Sequence, residues 1–318
     1  MRAFITGGAG FIGSNLADKL LSEGNEVVVF DNFSTGQQKF IEHNLSKKEY
    51  RLVEGDVLDK AALNHAMRDC DFVFHFQANA DVRGGIDNTH IDLEQNIIAT
   101  HNVLEAMKIQ GIQGIAFASS ATVYGEPDII PTPENTAPLQ TSLYGASKYS
   151  AEAMIQAYCE YYDIKSWIFR FVSFMGPRYS HGVIFDFMKK LKKNSDELHI
   201  LGDGSQRKSY LHVADGIDAI LLAIAKAEEK VNIFNLGNTE WINVVDLANI
   251  VCNAMGLKDV KYTFAGGIRG WKGDTPFVHL DITKISALGW KPGRSVTDTI
   301  ADTVRFLLNN EDLLYTRS

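Results

Sequence analysis

Apolar positions along this chain follow two rhythms. Short β-type runs alternate with stretches whose apolar residues recur at helical spacing. "RAFIT" (2–6), "EVVVFD" (26–31), "YRLVEGD" (50–56), "DFVFHF" (71–76) and "GIAFASS" (114–120) are predicted strands. "FIGSNLADKLLSEG" (11–24) is predicted as a helix closing on Gly24. A long helical pattern covers about 89–110, another helix covers 147–163, and a strand covers 165–173. This alternation predicts an α/β fold: a doubly wound parallel sheet covered on both faces. Beyond 173 the loops lengthen and glycines cluster, as in "LGDGSQRKSY" and "AGGIRGWKGDTP". One further run, "NIFNLG" (232–237), can return to the first sheet. The expected organisation is a domain of residues 1–172, with 208–240 returning to it, and a smaller discontinuous domain of 173–207 and 241–318.

Composition narrows the function classes. The chain has 318 residues, 45% hydrophobic and 22% charged, with a formal net charge of −8. That balance is ordinary for a globular protein and argues against nucleic acid or an anionic membrane as a partner. The basic run "KKLKKNSDE" turns acidic at once and reads as a solvated helix end. Cys70, Cys159 and Cys252 are far apart and odd in number, so neither a disulfide framework nor a metal site is expected. No apolar run approaches the roughly 18 residues that span a bilayer, and the opening residues lack a signal-peptide pattern. The expectation is a cytoplasmic protein.

The stretch "FITGGAGFIGSNLADKL" changes the picture. Gly8, Gly10 and Gly13 stand in the spacing G-x-G-x-x-G, with Gly7 extending it, between a predicted strand and a predicted helix. Glycines permit the tight turn and a close backbone approach to a pyrophosphate, and the helix N-terminus offers free N–H groups. The second strand ends in Asp31, 18 residues past Gly13. A carboxylate there accepts from an adenosine ribose and repels the extra phosphate of NADP, so NAD is the expected cofactor. Asp56, after the third strand, is a candidate adenine contact or a helix cap for "VLDKAALNHAM".

A second stretch, "SLYGASKYSAEAM", sets Tyr144 four residues before Lys148. On a helix those positions share a face. A free phenol, with a pKa near 10, is a poor base at neutral pH, but a nearby cation favours the phenolate. Such a pair suits removal of a hydroxyl proton while a hydride leaves the same carbon. Strands of such sheets present their C-terminal ends to the ligand. Ser119 and Ser120, at the end of "FASSATVYG", are therefore candidate partners, with Ser120 chosen to bond the reacting oxygen.

Taken together, "TGGAGFIGS", "DNFSTG", "FASSATVYGE", "YGASK", "MGPR" and "WKPGRSVTDTI" resemble the extended short-chain dehydrogenase/reductase superfamily. Within it the chain is similar to the NAD-dependent nucleotide-sugar epimerase branch, the UDP-glucose 4-epimerase kind. The resemblance implies a Rossmann-type sheet with a nucleotide-sugar-binding second domain. It implies Tyr144 as base, Lys148 as its electrostatic partner and Ser120 as second hydroxyl. Gly7, Gly10, Phe11, Ile12 and Gly13 would line the cofactor pyrophosphate, and Asp31 with Asn32 the ribose. Asp56, Val57, Phe76, Ala78 and Asn96 would lie along the rest of the cofactor. Substrate candidates are Ser119, Ser120, Ser173, Arg178, Lys208, Arg269 and Val278. The substrate class is a UDP- or GDP-linked sugar, and the assembly a homodimer built on helices near 90–110 and 146–163. The implied reaction oxidises sugar C4, rotates the keto-sugar and reduces its other face. A nucleotide-sugar 4-dehydrogenase or another oxidoreductase on the same fold is the alternative, and a non-catalytic dinucleotide sensor is a third. Related 4,6-dehydratases use an acid within two positions after the hydroxyl residue; here those positions are Ala121 and Thr122. The chain departs from the branch at Ser173 (commonly Asn), Lys208 (commonly Arg) and Trp271 (commonly Arg). Val278 stands where some relatives carry an aromatic, and a small side chain there would admit an N-acetyl group.

Overall fold

The structure is a computed structural model that describes residues 1–315. Its centre is a seven-stranded parallel sheet. Six strands come early: β1 (Arg2–Thr6), β2 (Glu26–Asp31), β3 (Tyr50–Glu54), β4 (Phe72–His75), β5 (Gly114–Ser120) and β6 (Lys165–Phe171). The seventh is Val231–Leu236, and the spatial order is this strand, β6, β5, β4, β1, β2, β3. The order reverses at β1, which pairs with β2 on one side and β4 on the other. Ligands of doubly wound sheets bind at that switch point, beyond the carboxyl ends of the strands.

The strands read as continuous apolar runs because helices cover both faces. In β2 every residue after Glu26 is buried. Phe4, Val28, Phe30, Val73, Ile115, Phe117 and Ile168 pack with Leu63, Val103, Met107, Ala151 and Ile155 from helices. Each such side chain contributes about 1.5–3 kcal/mol on burial.

The chain divides into two compact units. The first comprises Met1–Gly125, Ala137–Phe171 and Ile217–Phe234 and holds the large sheet. The second comprises Glu126–Thr136, Val172–Gly216 and the described chain from Asn235 onward. Within the second unit, Arg207–Lys208 lies between Ile242–Asn243 (antiparallel) and Phe277–Val278 (parallel). Residues 126–136, 208–216 and 235–240 thus belong to the second unit.

Three elements differ from the sequence reading. The helix expected from 147 begins earlier, as Leu143–Tyr162, because the Ser142 side chain accepts from Gly145 N at 3.0 Å and caps it. The helix expected over 89–110 is broken into Thr89–Asp92, a π-helical turn Leu93–Ile98 and Ala99–Gln110. The strand expected over 165–173 stops at Phe171, and Ser173–Met175 pairs instead with Tyr210–His212.

Candidate active site

The phosphate cradle is built by backbone. Gly7 has φ +71°, and a Cβ on it would lie 2.8 Å from Gln77 N. A Cβ on Gly13 would collide with the Gly7 carbonyl. Only glycine fits either place, the first for its left-handed backbone and the second for close approach. Gly10 precedes the helix Phe11–Ser22 in extended conformation, with no side chain capping that N-terminus. Its N–H groups are therefore available to an anion. Phe11 is buried and Ile12 half-buried on the first turn.

Asp31 sits beside this turn and is buried. Its carboxylate accepts from Ala9 N and from Phe33 N, each at 2.8 Å. Burial raises its pKa, and the two backbone donors pull it back. Asn32 is exposed and donates to Asp56 Oδ2 at 2.9 Å. The other oxygen of Asp56 accepts from Leu58 N. Asp56 does not cap the next helix; Asp59 does, accepting from Ala61 N and Ala62 N. Val57 is buried, and its carbonyl accepts from Asn102. Phe76 and Ala78 are half-buried just past β4, and Phe76 packs edge-on to Phe74 and Phe171. A glycine turn that admits no Cβ, an uncapped helix N-terminus and a carboxylate at the end of β2 fit NAD.

Beneath the cradle runs a buried hydrogen-bond relay that sequence reading missed. Thr100 donates to Asn96 O at 2.6 Å, so its oxygen can only accept from His75 Nε2 at 3.0 Å. Burial holds His75 near pKa 3, hence neutral, so Nδ1 accepts from Thr6 at 2.8 Å. Thr6 in turn accepts from Phe76 N and Gln77 N. This relay ties β1, β4 and the Asn96 helix together.

Ser120 ends β5 and caps the following turn, its oxygen accepting from Thr122 N at 3.2 Å and from Thr122 Oγ1 at 3.0 Å. It also acts on Tyr144, pulling that phenol's pKa down. Ser119 points the other way: it is buried and donates to Glu152. Successive strand residues alternate faces, so Ser119 joins a core network rather than the Ser120 group. In that network Glu152 pairs with Arg170 at 2.7 Å, both fully or nearly buried, and Arg170 also donates to Tyr124 Oη.

Tyr144 lies in the first turn of Leu143–Tyr162, and Lys148 one turn on. Burial pushes the Tyr144 phenol up to about 12, with Ser120 pulling it down. Burial pushes Lys148 down to about 7. Its Nζ donates to Ala118 O at 2.9 Å and lies 4.8 Å from the Phe117 ring centroid and 6.0 Å from that of Tyr144. In the cofactor-free chain burial is the largest influence on both groups. Asn96 is buried; it accepts from Asn79 N and donates to Asp92 and to Ser147.

The remaining candidates lie in the second unit. Lys208 pairs with Asp274 at 2.6 Å and stands 4.9 Å from the Trp271 ring centroid. Val278 is the register partner of Lys208. Arg269 is exposed and ion-paired with Glu126. Ser173 is exposed; Arg178 is half-buried with φ +71°. Among these, the structure groups Lys208, Val278, Asp274 and Trp271.

Fold and site define a dinucleotide-dependent enzyme with a serine–tyrosine–lysine set. The profile of the NAD dependent epimerase/dehydratase family matches residues 3–237. A putative UDP-glucose 4-epimerase of Methanocaldococcus jannaschii is 34% identical over 315 residues, covering 96% of this chain and 98% of that one. A crystal structure of a UDP-galactose 4-epimerase superposes with TM-score 0.88 at 36% identity, covering 98% and 99% of the two chains. DesIV, a dTDP-glucose 4,6-dehydratase from Streptomyces venezuelae, superposes with TM-score 0.90 at 26% identity, covering 98% of each chain. The chain belongs to the NAD dependent epimerase/dehydratase family and is an NAD-dependent enzyme of the extended short-chain dehydrogenase/reductase type.

Proposed function

We propose that this enzyme is a nucleotide-sugar 4-epimerase. The observation that carries the reading is Tyr144 in the first turn of Leu143–Tyr162 with Lys148 one helical turn on, and Ser120 at the end of β5 pulling the phenol pKa down. NAD, when bound, would accept the C4 hydrogen as a hydride and give it back. Tyr144 takes the proton of the C4 hydroxyl, and Ser120 holds the same oxygen. Lys148 supplies the positive charge that lets the phenol release its own proton. After the keto-sugar turns over, the hydride would return to the other face of C4 while Tyr144 returns the proton to the C4 oxygen. Dehydration needs an acid next to Ser120; the neighbouring Thr122 hydroxyl is bonded to Ser120, and Ala121 has no polar atom.

In this reading the first unit binds NAD through Gly7, Gly10, Gly13, Asp31, Asn32, Asp56 and Asn96. The second binds the nucleotide diphosphate through Lys208, Arg178 and Arg269, with Ser173 and Val278 at the sugar. The enzyme works in the cytoplasm as a homodimer. Exposed Leu93, Ile98 and Ile109 on one helical segment and Tyr161 and Tyr162 on another support that assembly.

The test mixes protein with NAD and a panel of UDP- and GDP-sugars, following 340 nm and identifying each product. Conversion to the C4 epimer without a lasting 340 nm signal supports the reading and names the substrate. A steady rise with a keto-sugar product would replace it with a dehydrogenase.

A further inference from the structure

Outside the serine–tyrosine–lysine set, Asp92 is a buried carboxylate of the first unit with an unpartnered oxygen. It is 2% exposed. One oxygen accepts from Asn79 Nδ2 at 2.9 Å and Asn96 Nδ2 at 3.1 Å. The other oxygen is buried without a partner. Gly85 packs so closely that a Cβ on it would lie 2.6 Å from that oxygen. Lys148 is its complement. It is also 2% exposed, and of its three N–H donors only one is satisfied, by Ala118 O. Among the described residues neither side chain forms an ion pair. One amide joins Asp92 to the residue before Lys148: Asn96 Nδ2 donates to Asp92 and also, at 2.8 Å, to Ser147 Oγ, which donates to the Tyr144 carbonyl.

We propose that Asp92 is the buried counter-ion of Lys148, a positioning residue whose charge keeps the lysine protonated beside Tyr144. An isolated charge in an interior neutralises unless an opposite charge faces it. The other groups around Lys148 do not supply that charge. Glu152, on the same helix, is tied to Arg170. His75, on β4, is neutral, and Tyr144 is a phenol. Asp81 is exposed and acts on Asp92 as a like charge. Of the charges that pull the Lys148 pKa back up, Asp92 is the larger and Glu152 the smaller.

The inference rests on Lys148 acting beside the cofactor, so the test includes a readout that needs no sugar. Asp92→Asn keeps the acceptor for both amides and removes only the charge. NADH affinity is titrated from pH 5.5 to 9.5 by fluorescence, alongside the pH profile of turnover. In the parent, affinity falls as Lys148 loses its proton. In Asp92→Asn the same limb is expected roughly one pH unit or more lower. Turnover should drop about tenfold at alkaline pH, where that shift acts in full. Thermal midpoints should stay close, and Lys148→Met should lack the limb altogether. An unmoved limb overturns the proposal, whether affinity and stability are unchanged (a protonated Asp92) or lowered equally at every pH (a structural role). If no sugar is turned over, the epimerase reading fails, while the NADH limb still decides the role of Asp92.

Discussion

Burial sets the protonation of Tyr144 and Lys148, the pair proposed to act beside the cofactor. Tyr144→Phe removes the hydroxyl that the proposed mechanism uses to carry the substrate proton. It should leave NAD affinity and the thermal midpoint near parental values and lower turnover by roughly 10²–10⁴-fold, the range of general acid–base catalysis. Unchanged activity would remove Tyr144 from the mechanism. Lys148 also gives a stability signature. Its folded pKa, about 7, lies below its ordinary value of 10.5. Between those values the unfolded chain binds more protons, so stability contributed by this group rises with pH from 7 to 10.5 and is lost as pH falls toward 7. Urea unfolding of the cofactor-free protein at pH 7, 8 and 9 should show that rise, at most about 1.4 kcal/mol per pH unit, and Lys148→Met should flatten it.

At the scale of elements, the helix carrying Tyr144 and Lys148 is capped by one serine, Ser142. Ser142→Ala should cost about 1 kcal/mol of stability, measurable as a lower thermal midpoint. It should lower turnover more than NAD affinity, because Tyr144 sits in the turn that Ser142 closes while the cradle does not. The Glu152–Arg170 pair pins the same helix to β6. Arg170→Met strands a buried carboxylate and should cost about 3–5 kcal/mol, read by urea unfolding. These elements also mark how far the sequence could be read. The glycine turn, Asp31 and the Tyr144–Lys148 spacing are local patterns whose chemistry follows from spacing alone. Glu152 was within reach, standing a further four residues beyond Lys148 on the buried face. Asp92 and the Thr6–His75–Thr100 relay were not, because their partners lie 4 to 69 residues apart and the π-helical turn shifts the helix phase between Asp92 and Asn96. Ser119 and Ser120 differed only in which face the strand end turned inward.

At the scale of the whole molecule, the apolar residues left exposed on Leu93–Ile98, Ala99–Gln110 and Leu143–Tyr162 set a concentration-dependent expectation. Tyr161 is 75% exposed and Ile109 64%. Sedimentation at micromolar concentration should give twice the chain mass, and Ile109→Asp with Tyr161→Asp should give the chain mass with folded spectra. A parental monomer would remove the homodimer. No helix among the described residues is long and apolar enough to cross a membrane.

The carboxylate of Asp31 has a consequence for anyone wishing to redesign this enzyme for the phosphorylated dinucleotide. The customary step is to exchange the acidic residue at the end of the second strand for a small or basic one. Here that residue also holds Ala9 of the glycine turn and Phe33 of the next loop, with Gly36 packed against it. Removing it therefore loosens the floor on which either dinucleotide would rest. In the proposed reading, cofactor choice and loop architecture share the same two oxygens, so a successful exchange has to rebuild the turn before it can relax the discrimination.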